Sequence, residues 1–269
     1  LTAFCAHSQS PVRIGLFGGV SQYQGDLTGR LFTGRFAKPA LGITASYDLS
    51  PRLALRGGVT FSGLEASDRY HAKPELQDRN LSFETKLTDF SLVGEYTFFN
   101  LDDVRWSPYL FGGVGLFRYN PFTTDSAGRR QYLQPLGTEG QGLPGHTAGK
   151  AYELTQFSLP FGAGLTYALN DRLQVGLEFS FRKTFTDYID DVSTTYADPD
   201  ALQAARGPRA VELAFRTDEV VPGASYPRQG SLRGNARNKD FYYFTGLRLQ
   251  FRLGQSGGKG KYGCPVVRQ

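Results

Sequence analysis

The chain has 269 residues, a net charge of +5, 33 glycines, 14% aromatic residues and no methionine. No run of about 18 apolar residues occurs, which excludes a transmembrane helix, and the modest positive charge accompanies no nucleic-acid-binding motif. A mean hydropathy of −0.35 suits a soluble protein, but it suits equally a barrel whose lumen and loops are polar.

Residues 1–6 (LTAFCA) resemble the tail of a signal peptide's apolar stretch. Cys5 is a poor lipidation site, because Phe4 stands where a small residue is expected. Residues 1–11 are read as a periplasmic N-terminal segment. Eight strands are then expected at 12–23, 38–49, 52–64, 82–99, 106–119, 154–169, 172–186 and 239–253. The last shows the pattern most clearly. Phe241, Tyr243, Thr245, Leu247, Leu249, Phe251 and Leu253 form one face, and Tyr242, Phe244, Gly246, Arg248, Gln250 and Arg252 the other. Period two means a strand, and this length suits a tilted bilayer crossing of about 9–11 residues. The connections at 50–51, 100–105 and 170–171 are short, whereas those at 24–37, 65–81, 120–153 and 187–238 are long. Bacterial barrels keep short turns in the periplasm and long loops outside. The expectation is therefore an all-β, eight-stranded antiparallel transmembrane β-barrel over residues 12–253. Its termini lie in the periplasm and its location is the bacterial outer membrane. Residues 254–269 form a periplasmic tail.

Parity assigns faces. Leu41, Ile43, Ala45 and Tyr47, then Leu53, Leu55, Val59 and Phe61, fall on the lipid side. So do Phe90, Leu92, Tyr96 and Phe98, with matching sets on strands six and seven. The opposite parity holds Arg56, Glu95, Glu178, Arg182, Arg248 and Arg252, read as a lumen ion network in which Glu95 and Glu178 pair with the arginines. The first and fifth strands are too rich in glycine for a parity assignment. In the fourth long loop, Asp198-Pro199-Asp200 introduces a short capped helix ending before Gly207, and 208–216 is a second candidate. Its arginines (Arg206, Arg209, Arg216, Arg228, Arg233, Arg237) are read as solvated, with contact to lipopolysaccharide phosphates and outer-membrane lipids as the sharper alternative.

Catalytic chemistry finds little support. Of three histidines (His7, His71, His146), His71 lies beside Asp68 and Ser67 and could mimic the triad of a lipid A-modifying barrel; a solvated loop histidine is the simpler reading. Asp187, Asp190 and Asp191 follow strand seven without EF-hand spacing, so a structural rim turn is preferred to a calcium site. The glycine pairs match no phosphate loop. No cofactor and no metal is expected. Cys5 and Cys264 are candidates for a disulfide in an oxidising periplasm, with free or intermolecular thiols as alternatives.

The stretch from strand seven into the fourth loop, residues 178–193 (EFSFRKTFTDYIDDVS) with Tyr196, resembles the E-x-x-x-R-x-T-F-T-D-Y-[LI]-D-D-V-S-x-x-Y run of the PorG-like outer-membrane barrels. Residues 14–27 (IGLFGGVSQYQGDL), 107–115 (SPYLFGGVG) and 240–246 (DFYYFTG) are also similar, so the resemblance spans most of 12–253. It implies a non-enzymatic subunit of the type IX secretion system, linking the outer membrane to a periplasmic ring of a lipoprotein and its partner. Lys259, Lys261 and Arg268 in the tail are then candidate partner-binding residues. A lipid A-modifying enzyme and a stand-alone structural or adhesin barrel are the alternatives.

Overall fold

The computed structural model describes residues 11–253 apart from 30, 31, 33, 145 and 147. Cys5, Cys264, Lys259, Lys261 and Arg268 lie outside the described residues. Eight long strands form the barrel: β1 Val12–Gln24, β2 Lys38–Asp48, β3 Leu53–Ser67, β4 Ser82–Thr97, β5 Trp106–Arg118, β8 Thr155–Ala168, β9 Leu173–Thr184 and β10 Phe241–Arg252. A small hairpin, β6 Phe122–Thr124 and β7 Arg130–Tyr132, extends the β4 edge in the third long loop. Each barrel strand pairs antiparallel with its neighbours in the chain. The sheet closes where β1 meets β10, from Arg13 opposite Arg252 to Gln24 opposite Phe241. Full closure leaves no sheet edge in the wall, a condition for spanning a bilayer with strands.

Local chemistry sets the short turns. Ser50 Oγ accepts from the backbone N–H groups of Arg52 and Leu53, and Asn170 Oδ1 accepts from those of Arg172 and Leu173. These are the side-chain-to-backbone turns that Ser and Asn favour. The strand seam itself needs glycine: a Cβ on Gly19 would overlap the Thr245 carbonyl oxygen, and Gly246 lies directly opposite. β3 runs to Ser67, past the expected end at 64, because it stays paired with β4 from Leu53–Tyr96 up to Ser67–Ser82. β1 runs one residue past its expected end, to Gln24, and the remaining strands stop one or two residues short of the expected limits at one end or both.

The wall is apolar outside and polar inside. Leu41, Ile43, Phe61, Phe90, Leu92, Phe157, Leu165, Leu177 and Leu247 are all exposed. On the two strands without a parity assignment, Ile14, Leu16 and Val20 point outward from β1, and Leu110, Val114 and Leu116 from β5. The buried core sits in the long-loop half of the lumen. There Phe17, Tyr23, Phe83, Leu87, Phe117, Tyr119, Tyr242 and Phe244 join Ile189, Val192 and Leu213 from the fourth loop.

That loop is a folded roof. Helix α2, Pro199–Arg206, is capped by the Asp198 side chain accepting from Ala201 N–H at 2.9 Å. Helix α3, Pro208–Ala214, packs on α2 through Leu202, Ala210 and Ala214. A third short helix, α1 Pro74–Arg79, sits in the second long loop.

Candidate functional site

The lumen holds charges in layers, each set against an opposite charge. In the middle layer Arg248 donates to both carboxylate oxygens of Glu95, at 2.6 and 3.2 Å. Arg56 donates to Glu178 at 2.6 Å and lies 3.4 Å from Glu95. Tyr109 also donates to Glu178, at 2.9 Å. Nearer the long loops, Arg182 pairs with Asp89 at 3.1 Å, and Tyr242 donates to the same carboxylate at 2.7 Å. At the short-turn end Arg13 donates to Asp48 at 2.6 Å, and Arg252 lies 3.9 Å from Asp48 and 3.8 Å from Asp102. Three of the guanidinium groups also cover ring faces: Arg248 over Tyr109, Arg56 over Phe111 and Arg182 over Phe244, at 4.5, 4.6 and 5.1 Å from the ring centres.

The six charges assigned to the lumen from the sequence therefore divide. Arg56, Glu95, Glu178 and Arg248 form one cluster. Arg182 belongs to a separate pair with Asp89, and Arg252 lines the mouth at the short-turn end. Asp89, Arg13 and Tyr109 complete the arrangement and were not among the sequence candidates. Arg13 and Tyr109 lie on the glycine-rich strands; Asp89 shares its parity with Glu95 and was readable on that basis. Between these layers, a cavity of only about 20 Å³ touches Arg56, Glu178, Arg182 and Arg248. That is room for about one water.

The turn residues Asp187, Asp190 and Asp191 are buried under the roof, away from the exposed rim. Asp187 accepts from Ser193 Oγ at 2.7 Å. Asp191 accepts from Tyr152 at 2.7 Å and from Thr138 at 2.5 Å. Tyr23 Oη lies 2.6 Å from Asp190 and 2.7 Å from Asp240. One phenol proton cannot serve two carboxylates, so one of the two acids must carry a proton of its own. Burial, together with their mutual repulsion, raises Asp190 well above the ordinary carboxylate range; burial does the same for Asp240. Burial also pushes Asp187 up to about 7, and Asp191 to about 6 in spite of Arg233 nearby. The three turn aspartates thus face separate partners, and among the described residues no group of three or more His, Cys, Asp or Glu side chains is placed to hold a metal ion.

Two loop arginines read as solvated are buried. Arg233 donates to Glu139 at 3.1 Å and to the Asp191 carbonyl at 2.6 Å. Glu139, from the third loop, in turn accepts from Ser193 N–H and Thr194 N–H, both at 2.9 Å. Arg216 pairs with Glu219 and reaches Thr123. A long irregular loop leaves backbone groups that must find partners, and these charged side chains supply them.

His71 does not enter a relay. Both oxygens of Asp68 accept from Arg79, each at 2.7 Å. Ser67 Oγ accepts from Arg69 N–H at 3.4 Å, and His71 Nδ1 accepts from Lys73 N–H at 3.1 Å. Asp68 is therefore committed to α1 and cannot orient the imidazole. His146 lies in the third loop, beside Gly140.

At the short-turn mouth the lumen opens into two adjoining polar hollows of about 240 and 470 Å³. Leu101, Asp102, Gln174 and Arg252 line both; Arg13, Asp48 and Arg52 line the first and Arg105 and Asp171 the second.

A family model described as a domain of unknown function (DUF6089) matches residues 1–134, just under half of the chain. No curated protein matches. Among solved structures, the Neisserial surface protein A is similar at 11% identity and a TM-score of 0.44, over 92% of this chain and 100% of that one. The outer membrane protein OprG from Pseudomonas aeruginosa is similar at 11% identity and a TM-score of 0.42, over 91% and 98%. A major outer membrane protein from Thermus thermophilus is similar at 14% identity and a TM-score of 0.42, over 90% and 99%.

Proposed function

We propose that this chain is a non-enzymatic barrel of the bacterial outer membrane that anchors a protein-secretion complex, of the type IX, PorG-like kind, through its periplasmic face. The observation that carries the reading is the side-chain filling of the lumen: about 20 Å³ is left beside the central ion cluster, which favours work done at the barrel's ends over passage of solutes through it. The short-turn end, placed in the periplasm together with both termini, carries the polar cup lined by Arg13, Arg52, Arg105 and Arg252 with Asp48, Asp102 and Asp171. Mixed charge around an open hollow suits a modest protein contact, strengthened when several barrels sit on one ring. The partner is a ring lipoprotein and its companion, in keeping with the resemblance of residues 178–196, and the basic tail with Lys259, Lys261 and Arg268 adds a second contact.

The test is mild cross-linking in cells followed by purification of the tagged full chain. Recovery of periplasmic ring proteins that falls on reversing Arg52 and Arg105, or on removing residues 254–269, supports the anchor. No periplasmic protein recovered from the unaltered chain overturns it. A second reading, a surface adhesin, is favoured by the folded roof, whose two helices and buried arginines give a rigid platform with Leu232 81% exposed.

A further inference from the structure

The outer wall carries a feature that neither the anchor nor the lumen uses. On the lipid side of β8, β9 and β10, Phe161, Phe181 and Tyr243 lie in register. Phe161 and Phe181 stack with ring centres 5.7 Å apart, and Tyr243 lies 5.8 Å from Phe181. One step nearer the long loops, Lys183 stands between Leu159 and Phe241. Above it the end of the fourth loop brings Arg237, Asn238 and Lys239 over the same wall. Lys183, Arg237, Asn238 and Lys239 line an open groove of about 800 Å³ with Phe161, Phe181 and Phe241 in its wall.

The charges are at the right depth for a headgroup. From Leu173 to Lys183 the strand climbs about 33 Å at roughly 3.3 Å per residue, and a tilt of about 35–45° leaves roughly 23–27 Å along the membrane normal, against an apolar band of about 25 Å. Lys183 therefore stands where hydrocarbon gives way to lipid phosphates, and Phe161 and Phe181 beneath it stand among acyl chains. The cations are also available. Among the described residues none of the three lies within ion-pair distance of a carboxylate; Lys239 donates to the Ala236 carbonyl at 3.0 Å and faces Asp187 only beyond that distance. Two acids border the groove. Asp240 turns inward to Tyr23, and Asp26 accepts from Asn235 N–H at 2.7 Å, with burial raising its carboxyl above the ordinary range. Neither opposes an anion at full strength.

We propose that this groove binds a phosphorylated membrane lipid of the leaflet at the long-loop end, with its phosphate among Lys183, Arg237 and Lys239 and an acyl chain along Phe161 and Phe181. The inference rests on the membrane embedding of the barrel and is independent of any secretion partner.

The test uses the full chain in detergent, titrated with lipid A carrying its phosphates or with the same lipid after enzymatic dephosphorylation, and read as bound-lipid mass by native mass spectrometry. The phosphorylated lipid should bind and the dephosphorylated one should bind about 10–100-fold more weakly, as expected when three surface cations meet a lipid phosphate. K183Q/R237Q/K239Q should show the same loss, whereas R118Q, an exposed cation at the top of β5 outside the groove, should bind as the unaltered chain does. Equal binding of the two lipids by the unaltered chain overturns the proposal, and so does a loss in R118Q as large as in the triple variant. Folding of each variant is read from the heat-dependent shift of the barrel on a gel. Should the triple variant not fold, the comparison of the two lipids on the unaltered chain still decides.

Discussion

Glu95 is the position where the lumen's charge arrangement is most exposed to a single change. Its carboxylate takes two bonds from Arg248 and lies within 3.4 Å of Arg56 and 3.9 Å of Arg13. Arg248 is 1% exposed, and the small cavity beside it holds about one water, so bulk solvent cannot replace a lost charged partner. Glu95→Gln keeps the volume and creates no cavity, which isolates the electrostatic effect. Hydrogen bonds to charged groups contribute about 1.5–3 kcal/mol each, and removing one partner of a buried pair costs about 3–5 kcal/mol. Glu178, 3.4 Å from Arg248, will take up part of the load, which places the expected loss near 3 kcal/mol at the low end of that range. The comparison is Glu84→Gln. Glu84 is 47% exposed and 3.5 Å from Lys38, so its loss should cost about 0–1 kcal/mol. Urea unfolding of the barrel in lipid vesicles, followed through the fluorescence of Trp106, the only tryptophan, reads both. Two variants equal within about 1 kcal/mol would show that the lumen charges are solvated and that the reasoning about their burial is wrong.

The same filled lumen predicts that the purified protein gives no stable porin-sized conductance in planar bilayers; a steady open channel would contradict it. Protease added to intact cells should cut the roof loop among its exposed arginines, such as Arg206 and Arg228, and spare the chain termini; cutting confined to the termini reverses the proposed orientation. The roof should also loosen as pH rises. Asp187, at about 7, and Asp191, at about 6, titrate above an unfolded carboxylate near 4, so the folded state holds more protons between those values and its stability falls across that window. The proton shared around Tyr23 by Asp190 and Asp240 extends the same trend upward. Asp187 faces Ser193, Lys239, Asp26 and Glu139, while Asp191 faces Arg233, Thr138, Tyr152 and Glu139. Amide exchange of residues 187–193 should be faster at pH 8 than at pH 5, after correction for the intrinsic pH dependence; slower exchange at pH 8 would reverse the sign of the argument.

Period two made the wall legible in the sequence. Once Arg248 and Leu247 fall on opposite faces, every neighbour on β10 is placed, and short turns capped by Ser50 and Asn170 fix where the pattern restarts. The glycine-rich strands resisted because glycine carries no side chain to report a face, so Arg13 and Tyr109 gained their positions only from pairing with β10 and β8. Pairing partners across the lumen were out of reach for another reason. Arg182 could as well have met Glu95 as Asp89, since parity names the face but not the height at which side chains from opposite walls meet. The roof was least legible. Nothing in the spacing of Glu139 and Arg233 says that a third-loop acid and a fourth-loop cation bury each other, and loop charge is usually solvated.

The placement of polarity also narrows where function can lie. A barrel of eight strands is just wide enough to be filled by its own side chains, and here the filling is ionic: Glu95, Glu178 and Asp89 are matched to Arg248, Arg56 and Arg182, each laid over a ring. Such clusters seldom add net stability over an apolar filling of equal volume, and an apolar filling would blur the contrast between the two faces of each strand. Charges inside and hydrocarbon outside make a register slip of one residue prohibitive, because it would turn Arg56, Glu178 and Arg248 into the lipid. The lumen is thus engaged in specifying the wall, which leaves the mouth at the short turns, the roof at the long loops and the cationic groove on the outer face as the surfaces open to the contacts proposed above.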